Sequence, residues 1–248
     1  MLRQRRPLTW SVTLEVDVPS ADREAVIEQT ASVIETRLDA LGLSGFRVRV
    51  EGTSANARIV VNLPDVPDRE RVKRMITARG RLEITHVISP PSPAPAQTYN
   101  TREEATVSLG VTLPANRRVL PYAEQGSDLQ APKKWVVVES PAIVDGSDLR
   151  NATAVQSGGR AEDYQIAFSL KAAGAEKFAN WTGANINEYL GVVLNDEVKS
   201  IAYVKSQISD QGEISGRFTK ESAEDLAQVL KSGALPAPVR IVEEGNSK

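Results

Sequence analysis

Between residues 10 and 88 the spacing of apolar residues switches from two to three or four and back, twice over, and few folds accept that order. "SVTLEVDV" sets Val12, Leu14, Val16 and Val18 against Ser11, Thr13, Glu15 and Asp17, the period of a strand with one face in a core. In "ADREAVIEQTASVIETRLDALG", Ile27, Ala31, Ile34, Leu38 and Leu41 recur at helical steps, and Gly42 supplies the stop. "FRVRVEG" and "ARIVVNLP" follow as short strands joined through "TSAN", a hairpin by spacing and turn chemistry. A second helix from about Asp68 to Ala78 buries Val72, Met75 and Ile76, and "GRLEITHVI" supplies the next strand. The order β, α, β, β, α, β predicts an α+β fold of ferredoxin-like type, an antiparallel sheet carrying both helices on one face.

The pattern breaks at "SPPSPAPAQ", where Pro90, Pro91, Pro93 and Pro95 oppose both helix and ladder pairing and mark a boundary or an exposed excursion. Beyond it, "KKWVVVES" reads as a buried strand and "DYQIAFSL" as an alternating one. "AGAEKFANWTGANI" is predicted as a helix burying Ala175, Phe178, Ala179 and Ile186, and "YLGVVLNDEVKSIAYV" as a hairpin around Asn195 and Asp196. The last helix starts at Thr219, whose hydroxyl can accept an orphan amide, and buries Ala223, Leu226, Ala227 and Leu230. Gly233 ends it, Pro236 and Pro238 prevent its resumption, and "PVRIVEE" is one last strand.

Composition removes several classes of function. A net charge of −2 gives no concentrated basic surface for nucleic acid, the only basic cluster being the opening "RQRR". With no cysteine there is no disulfide, thiolate nucleophile or cysteine metal site. "MLRQRRPLTW" lacks the apolar run of a signal peptide, and no window reaches the ~18 apolar residues of a membrane span, so any anchor is expected outside this stretch. His86 is the one histidine, and without an orienting partner or further ligands in view it reads as structural. Asp145 and Asp148 lack the further oxygen ligands of a calcium loop, so helix capping by Ser147 or Asp148 is the expected role there, with Asp196 and Glu197 as turn residues and Glu243 and Glu244 as a solvated strand end. Trp10, Trp135 and Trp181 are too scattered for a base-stacking platform. No catalytic residue, cofactor or metal is expected, so the chain is not read as an enzyme. Arg37 falls at the edge of the first helix's apolar stripe, either snorkelling over apolar surface or forming an ion pair across a domain interface.

"FTKESAEDLAQVLKSGALPAPVRIVEE" resembles the end of the large extracytoplasmic domain of SecD, the accessory subunit of the bacterial Sec preprotein translocase. "VDGSDLRNA", "IAFSLKAAGAEKFANWT", "LGVVLNDEVKSIAYVKSQISDQGEISGRFT", "RLDALGL" and "RIVVNLPDV" resemble that family in order and spacing, so the likeness runs over about residues 10 to 245.

The resemblance implies a discontinuous base subdomain, residues 1–90 and 213–248, of ferredoxin-like character, and an inserted α+β head, residues 91–212. Pro90 and Pro91 would leave the base, Gly212 and Gly216 would return to it, and these four are the expected hinges. Gly233, Ala234, Leu235, Pro236 and Pro238 would couple the base to the next membrane helix. The implied function is capture of emerging unfolded preprotein on the extracytoplasmic side of the inner membrane, with movement driven by protons passing through membrane helices outside this chain. The implied partners are the preprotein, a SecF-type subunit and the SecYEG translocon. The competing expectation is a stand-alone ferredoxin-like module for ligand binding or scaffolding.

Overall fold

The polypeptide crosses between two packing units twice, after Arg79 and before Ser232. In the computed structural model, residues 7–18, 22–53, 56–110, 112–122, 132–157 and 163–247 are described. The first unit holds the chain up to Arg79 and from Ser232 onward; the second is Gly80–Lys231.

The first unit contains β1 (Leu8–Val16), α1 (Arg23–Ala40), β2 (Arg47–Glu51), β3 (Arg58–Pro64), α2 (Arg69–Thr77) and the chain's last strand, β13 (Val239–Gly245). Its sheet runs β13-β1-β3-β2 with every neighbour antiparallel. Along β1 the alternate residues Trp10, Val12, Leu14 and Val16 are buried, and with Ile59, Val61 and Leu63 of β3 they pack against Ile27, Ile34 and Leu38 of α1 and Val72 and Ile76 of α2. Both helices therefore cover one face of the sheet, each buried aliphatic chain contributing about 1.5–3 kcal/mol. α1 gives way to Gly42 at φ 72°, and the Asp68 carboxylate caps α2 by accepting the Arg71 amide.

The strand expected to complete this sheet, residues 82–87, is not in it. Its place beside β1 is taken by β13, with Val16 opposite Val239 and Ser11 opposite Gly245. Alternation identifies a strand but not its partner, and Leu82–Val87 is buried on both faces rather than one, as an internal strand of another sheet would be.

That strand, β4 (Leu82–Val87), opens the second unit, followed by α3 (Arg102–Val107), β5 (Arg117–Tyr122), β6 (Lys134–Glu139), β7 (Val144–Asp145) and β8 (Leu149–Gln156). The unit continues with β9 (Tyr164–Leu170), α4 (Ala172–Ala184), β10 (Tyr189–Leu194), β11 (Glu197–Tyr203), β12 (Gln211–Phe218) and α5 (Lys220–Lys231). β10 pairs with both β11 and β4, β11 with β5, β5 with β6, and β6 with β4, so five strands close on themselves and leave no free edge among them. Val87, Leu120, Val136, Val138, Val193 and Val198 fill the ring. A second sheet, β12-β9-β8, packs Ala152, Ile166, Phe168 and Ile214 against Ala223, Ala227 and Leu230 of α5.

The division differs from the expected one at both ends. β4 and α5, assigned from the sequence to the base, pack wholly within the second unit, so the inserted part is 80–231 rather than 91–212. In α4 the buried side is Gly174, Phe178 and Thr182, and Ile186 lies beyond the helix, 42% exposed.

Candidate functional site

The two crossings meet at Arg37. α1 buries this residue completely, and its guanidinium donates to the carbonyls of Met75 at 2.9 Å, Gly233 at 2.9 Å and Ala78, with a longer contact of 3.5 Å to that of Arg79. Three of these oxygens belong to the end of α2 and the residues after it, where the helix leaves its last carbonyls unsatisfied and carries partial negative charge. The fourth belongs to Gly233, at φ 88° in the turn that follows α5. The Arg79 carbonyl also accepts the Leu235 amide at 2.8 Å, so the outgoing and returning segments are bonded to each other as well as to Arg37. Burial pulls the guanidinium down from its ordinary value to about 10, which leaves it charged at neutral pH. The expected alternatives, a chain snorkelling over apolar surface or an ion pair across an interface, both give way to a cation held by main-chain oxygens. A planar fork of donors can reach several carbonyls at once, which a point charge cannot.

The residues expected to couple to a membrane helix lie against this knot. Leu235 and Ala237 are buried in the first unit's core, and the Pro238 carbonyl accepts the Asp17 amide at 2.9 Å. Gly233, Ala234, Leu235, Pro236 and Pro238 thus form the return crossing into β13, with a whole strand still to follow them.

The expected hinges fall inside one unit. Pro90 and Pro91 sit in a loop fixed at several points: the Ser92 amide donates to the Asn187 carbonyl at 2.8 Å, the Gln97 amide to the Ser89 hydroxyl at 2.8 Å, and the Tyr189 hydroxyl to the Ala94 carbonyl. Gly212 pairs with Phe168 along β12, and both it and Gly216 sit where an added Cβ would strike an aromatic ring, that of Phe168 or Phe218. Their lack of a side chain makes room for packing and does not mark a pivot.

Just past the first crossing, the second unit has a lock of its own. Gly80 takes φ 69°, and Arg81 exchanges backbone and side-chain bonds with Asn195, its carbonyl accepting the Asn195 amide and its amide donating to Asn195 Oδ1. Glu83, 7% exposed, accepts from Arg118 Nη1 with both carboxylate oxygens, at 2.9 and 3.0 Å, and from Arg81 at 3.0 Å, while Arg118 Nη2 donates to Asp196 at 2.8 Å. Asp196 is therefore both the expected turn residue, at φ 64°, and an ion partner; its partners' distance in sequence hid the second role. The short helix Gly146–Asp148 is capped by Asp145, which accepts the Ser147 amide, while the expected capping residue Asp148 closes the box by accepting the Asp145 amide and Ser147 lies inside the helix rather than capping it. Among the described residues no three acidic or histidine side chains converge so as to hold a metal ion, and no helix is long and apolar enough to cross a membrane. The "RQRR" cluster lies outside the described residues.

Two family models match the chain: the P1 head subdomain of SecDF over residues 118–237, and the N-terminal part of the P1 domain of the protein translocase subunit SecDF over residues 27–89. The protein translocase subunit SecD of Koribacter versatilis is 35% identical over 224 residues, 90% of this chain and 39% of that protein; that of Aquifex aeolicus is 33% identical over 223 residues, 90% and 40%. This chain belongs to the SecD/SecDF family. A solved structure of SecDF, a membrane component that enhances protein export, matches with a TM-score of 0.67 at 28% identity, over 94% of this chain and 98% of its own. A crystal structure of SecDF in a super-membrane-facing form matches with a TM-score of 0.70 at 27% identity, over 95% of this chain and 30% of its own. The chain spans about two fifths of the length of these curated SecD relatives.

Proposed function

We propose that this chain is the extracytoplasmic P1 region of a SecD subunit, that it binds unfolded preprotein emerging from the translocon, and that proton-driven membrane helices outside it move it to promote export. The observation that carries this reading is the match to a SecDF structure over nearly the whole of both chains, at 28% identity. The first unit then reads as a ferredoxin-like base interrupted between α2 and β13, and the second as the head inserted there. β1 and β13 are antiparallel neighbours, and the Ser247 amide donates to the Thr9 carbonyl, so the start of β1 and the end of β13 share one end of the sheet. That placement suits a base whose two flanks lead to one membrane. Motion of the head would turn at Gly80 and at Lys231–Ser232, between Arg37 on one side and the Glu83–Arg118–Asp196 cluster on the other, because element ends absorb dihedral change most cheaply. A SecF-type subunit and the translocon would engage the missing membrane helices.

Preprotein capture fits pairing along an exposed strand, which reads backbone more than sequence. Fluorescently labelled chain titrated with a reduced, unfolded preprotein should show saturable binding that the same preprotein loses once folded. Equal response to folded and unfolded preprotein, or none short of aggregation, would refute capture while leaving family membership untouched.

A further inference from the structure

The single histidine lies between two carboxylates and takes no part in the reading above. His86 stands on β4 with Nδ1 3.2 Å from Oε2 of Glu139, at the end of β6, and Nε2 3.3 Å from Oε2 of Glu188, just ahead of β10. The Trp181 ring of α4 tilts against the imidazole with centroids 5.2 Å apart. Behind Glu139, Arg117 of β5 donates to the other carboxylate oxygen. The charged groups facing the ring are thus Glu139 and Glu188 directly and Arg117 through Glu139; α4 presents Trp181, and the cross-strand neighbour on β10 is Leu190.

A neutral imidazole has one N–H and one lone pair, so it can donate to only one of these carboxylates and turns a lone pair on the other. The imidazolium donates to both, in charge-assisted bonds. The side that yields on deprotonation is Glu188: Glu139 keeps Arg117, whereas among the described residues the ring is the partner given for the Glu188 carboxylate. What Glu188 holds is itself a junction. The neighbouring Asn187, at φ 71°, accepts the Ser92 amide and donates its own to the Val204 carbonyl, and Tyr189 reaches the Ala94 carbonyl, so residues 187–189 hold the proline-rich loop.

We propose that His86 is a proton-dependent latch within the second unit, tying β4 through Glu139 and Glu188 to the segment that holds the proline-rich loop, and releasing that segment when the imidazole loses its proton. The proposal uses contacts within this unit alone and does not depend on preprotein binding.

With one histidine in the sequence, the imidazole Cε1 proton gives a single resonance in the whole chain. It would be followed from about pH 5 to about pH 9, spanning the ordinary imidazole range. Amide exchange of residues 92 and 187 would be measured in the same samples and normalised to an exposed segment. Protection of both amides should fall on the order of tenfold in step with the resonance, as expected for losing a charge-assisted bond. His86→Gln and Glu188→Gln should each abolish the step while retaining the rest of the exchange pattern. If His86→Gln fails to fold, Glu188→Gln alone decides. A step that survives either substitution, or a resonance that titrates while protection stays flat, overturns the latch.

Discussion

Replacing Arg37 by Met keeps the apolar stem and deletes the guanidinium, so it isolates what the carbonyl cage contributes. Three close bonds, to Met75, Ala78 and Gly233, are lost, and the 3.5 Å contact to Arg79 is too long to count. At about 2 kcal/mol for a bond to a charged group, the three contribute about 6 kcal/mol. Against this, burial lowers the guanidinium from 12.5 to about 10. At 1.36 kcal/mol per unit that is about 3 kcal/mol of desolvation, which the substitution returns. The net loss is about 3 kcal/mol, a large part of the stability of a small domain. The tryptophans permit a clean assay, because Trp10 lies in the first unit and Trp135 and Trp181 in the second. In a Trp135→Phe, Trp181→Phe background, Trp10 fluorescence reports unfolding of the first unit. With a urea slope of about 1–2 kcal/mol per molar, the Arg37→Met midpoint should fall by about 1.5–3 M. Arg37→Lys should lie between, since a compact ammonium cannot span the cage. The gap between parent and Met variant should stay flat through neutral pH. A base whose folded value is lowered sheds its proton first in the folded state, so the cost of the buried charge is relieved only as pH rises through about 10. A Met variant within about 0.3 M of its parent, at unchanged slope, would refute the claim that the guanidinium holds the crossings.

Gly191→Ala would place a Cβ 2.9 Å from Val87 Cγ2 inside the closed strand ring and should lower second-unit stability by about 1–3 kcal/mol, read from Trp135 and Trp181 fluorescence in urea. Glu83→Gln removes the carboxylate shared by Arg118 and Arg81 while Arg118 keeps Asp196, and should cost about 1–3 kcal/mol in the same assay; adding Arg118→Met should restore part of it. Burial pushes the Glu139 carboxyl up, but hydrogen bonds and charge from Arg117 and His86 outweigh it and hold the group below its ordinary value. A lowered folded value contributes stability at neutral pH that is lost as pH falls through it, so Glu139→Gln should flatten the acid limb of the second unit's thermal midpoint below about pH 4.5.

Much of the first unit was legible because its signals are local. The alternation in β1, the stripe of α1, the buried Val72, Met75 and Ile76 of α2 and the Gly42 stop each need only neighbouring residues, and their order leaves few sheets to choose among. The last strand lies in this unit as expected, and what could not be read is that residues 82–87 do not. Residues 82–87 and 239–245 both satisfy the pattern, and the first choice fails because β4 is buried on both faces, a feature visible in "LEITHV" only as the scarcity of charge. The polar sites were hidden for a related reason. Glu139 and Glu188 lie 53 and 102 residues from His86, and Gly233 lies 196 from Arg37, separations across which sequence spacing carries no geometry. A buried arginine without a carboxylate gives still less warning, since backbone carbonyls have no sequence signature.

The stiffness of "GALPAPV" follows from where it stands. Seven residues, Ser232 to Pro238, separate the end of α5 from β13, and in that span the chain must turn at Gly233, accept from Arg37 at its carbonyl, donate the Leu235 amide to the Arg79 carbonyl and set Val239 opposite Val16. A slip of one residue in β13 would send its inward side chains to the open face of the sheet, so the crossing has to fix register as well as direction. Two prolines with preset φ reduce the freedom the unfolded segment must give up, by about 0.4–1 kcal/mol each where the native backbone suits them. Buried Leu235 and Ala237 then anchor the segment between them. A soft linker could join the same two elements, but any displacement at the returning crossing would be absorbed before it reached β13. Held as it is, the segment sets Val239 opposite Val16 and fixes the register of β13 beside β1.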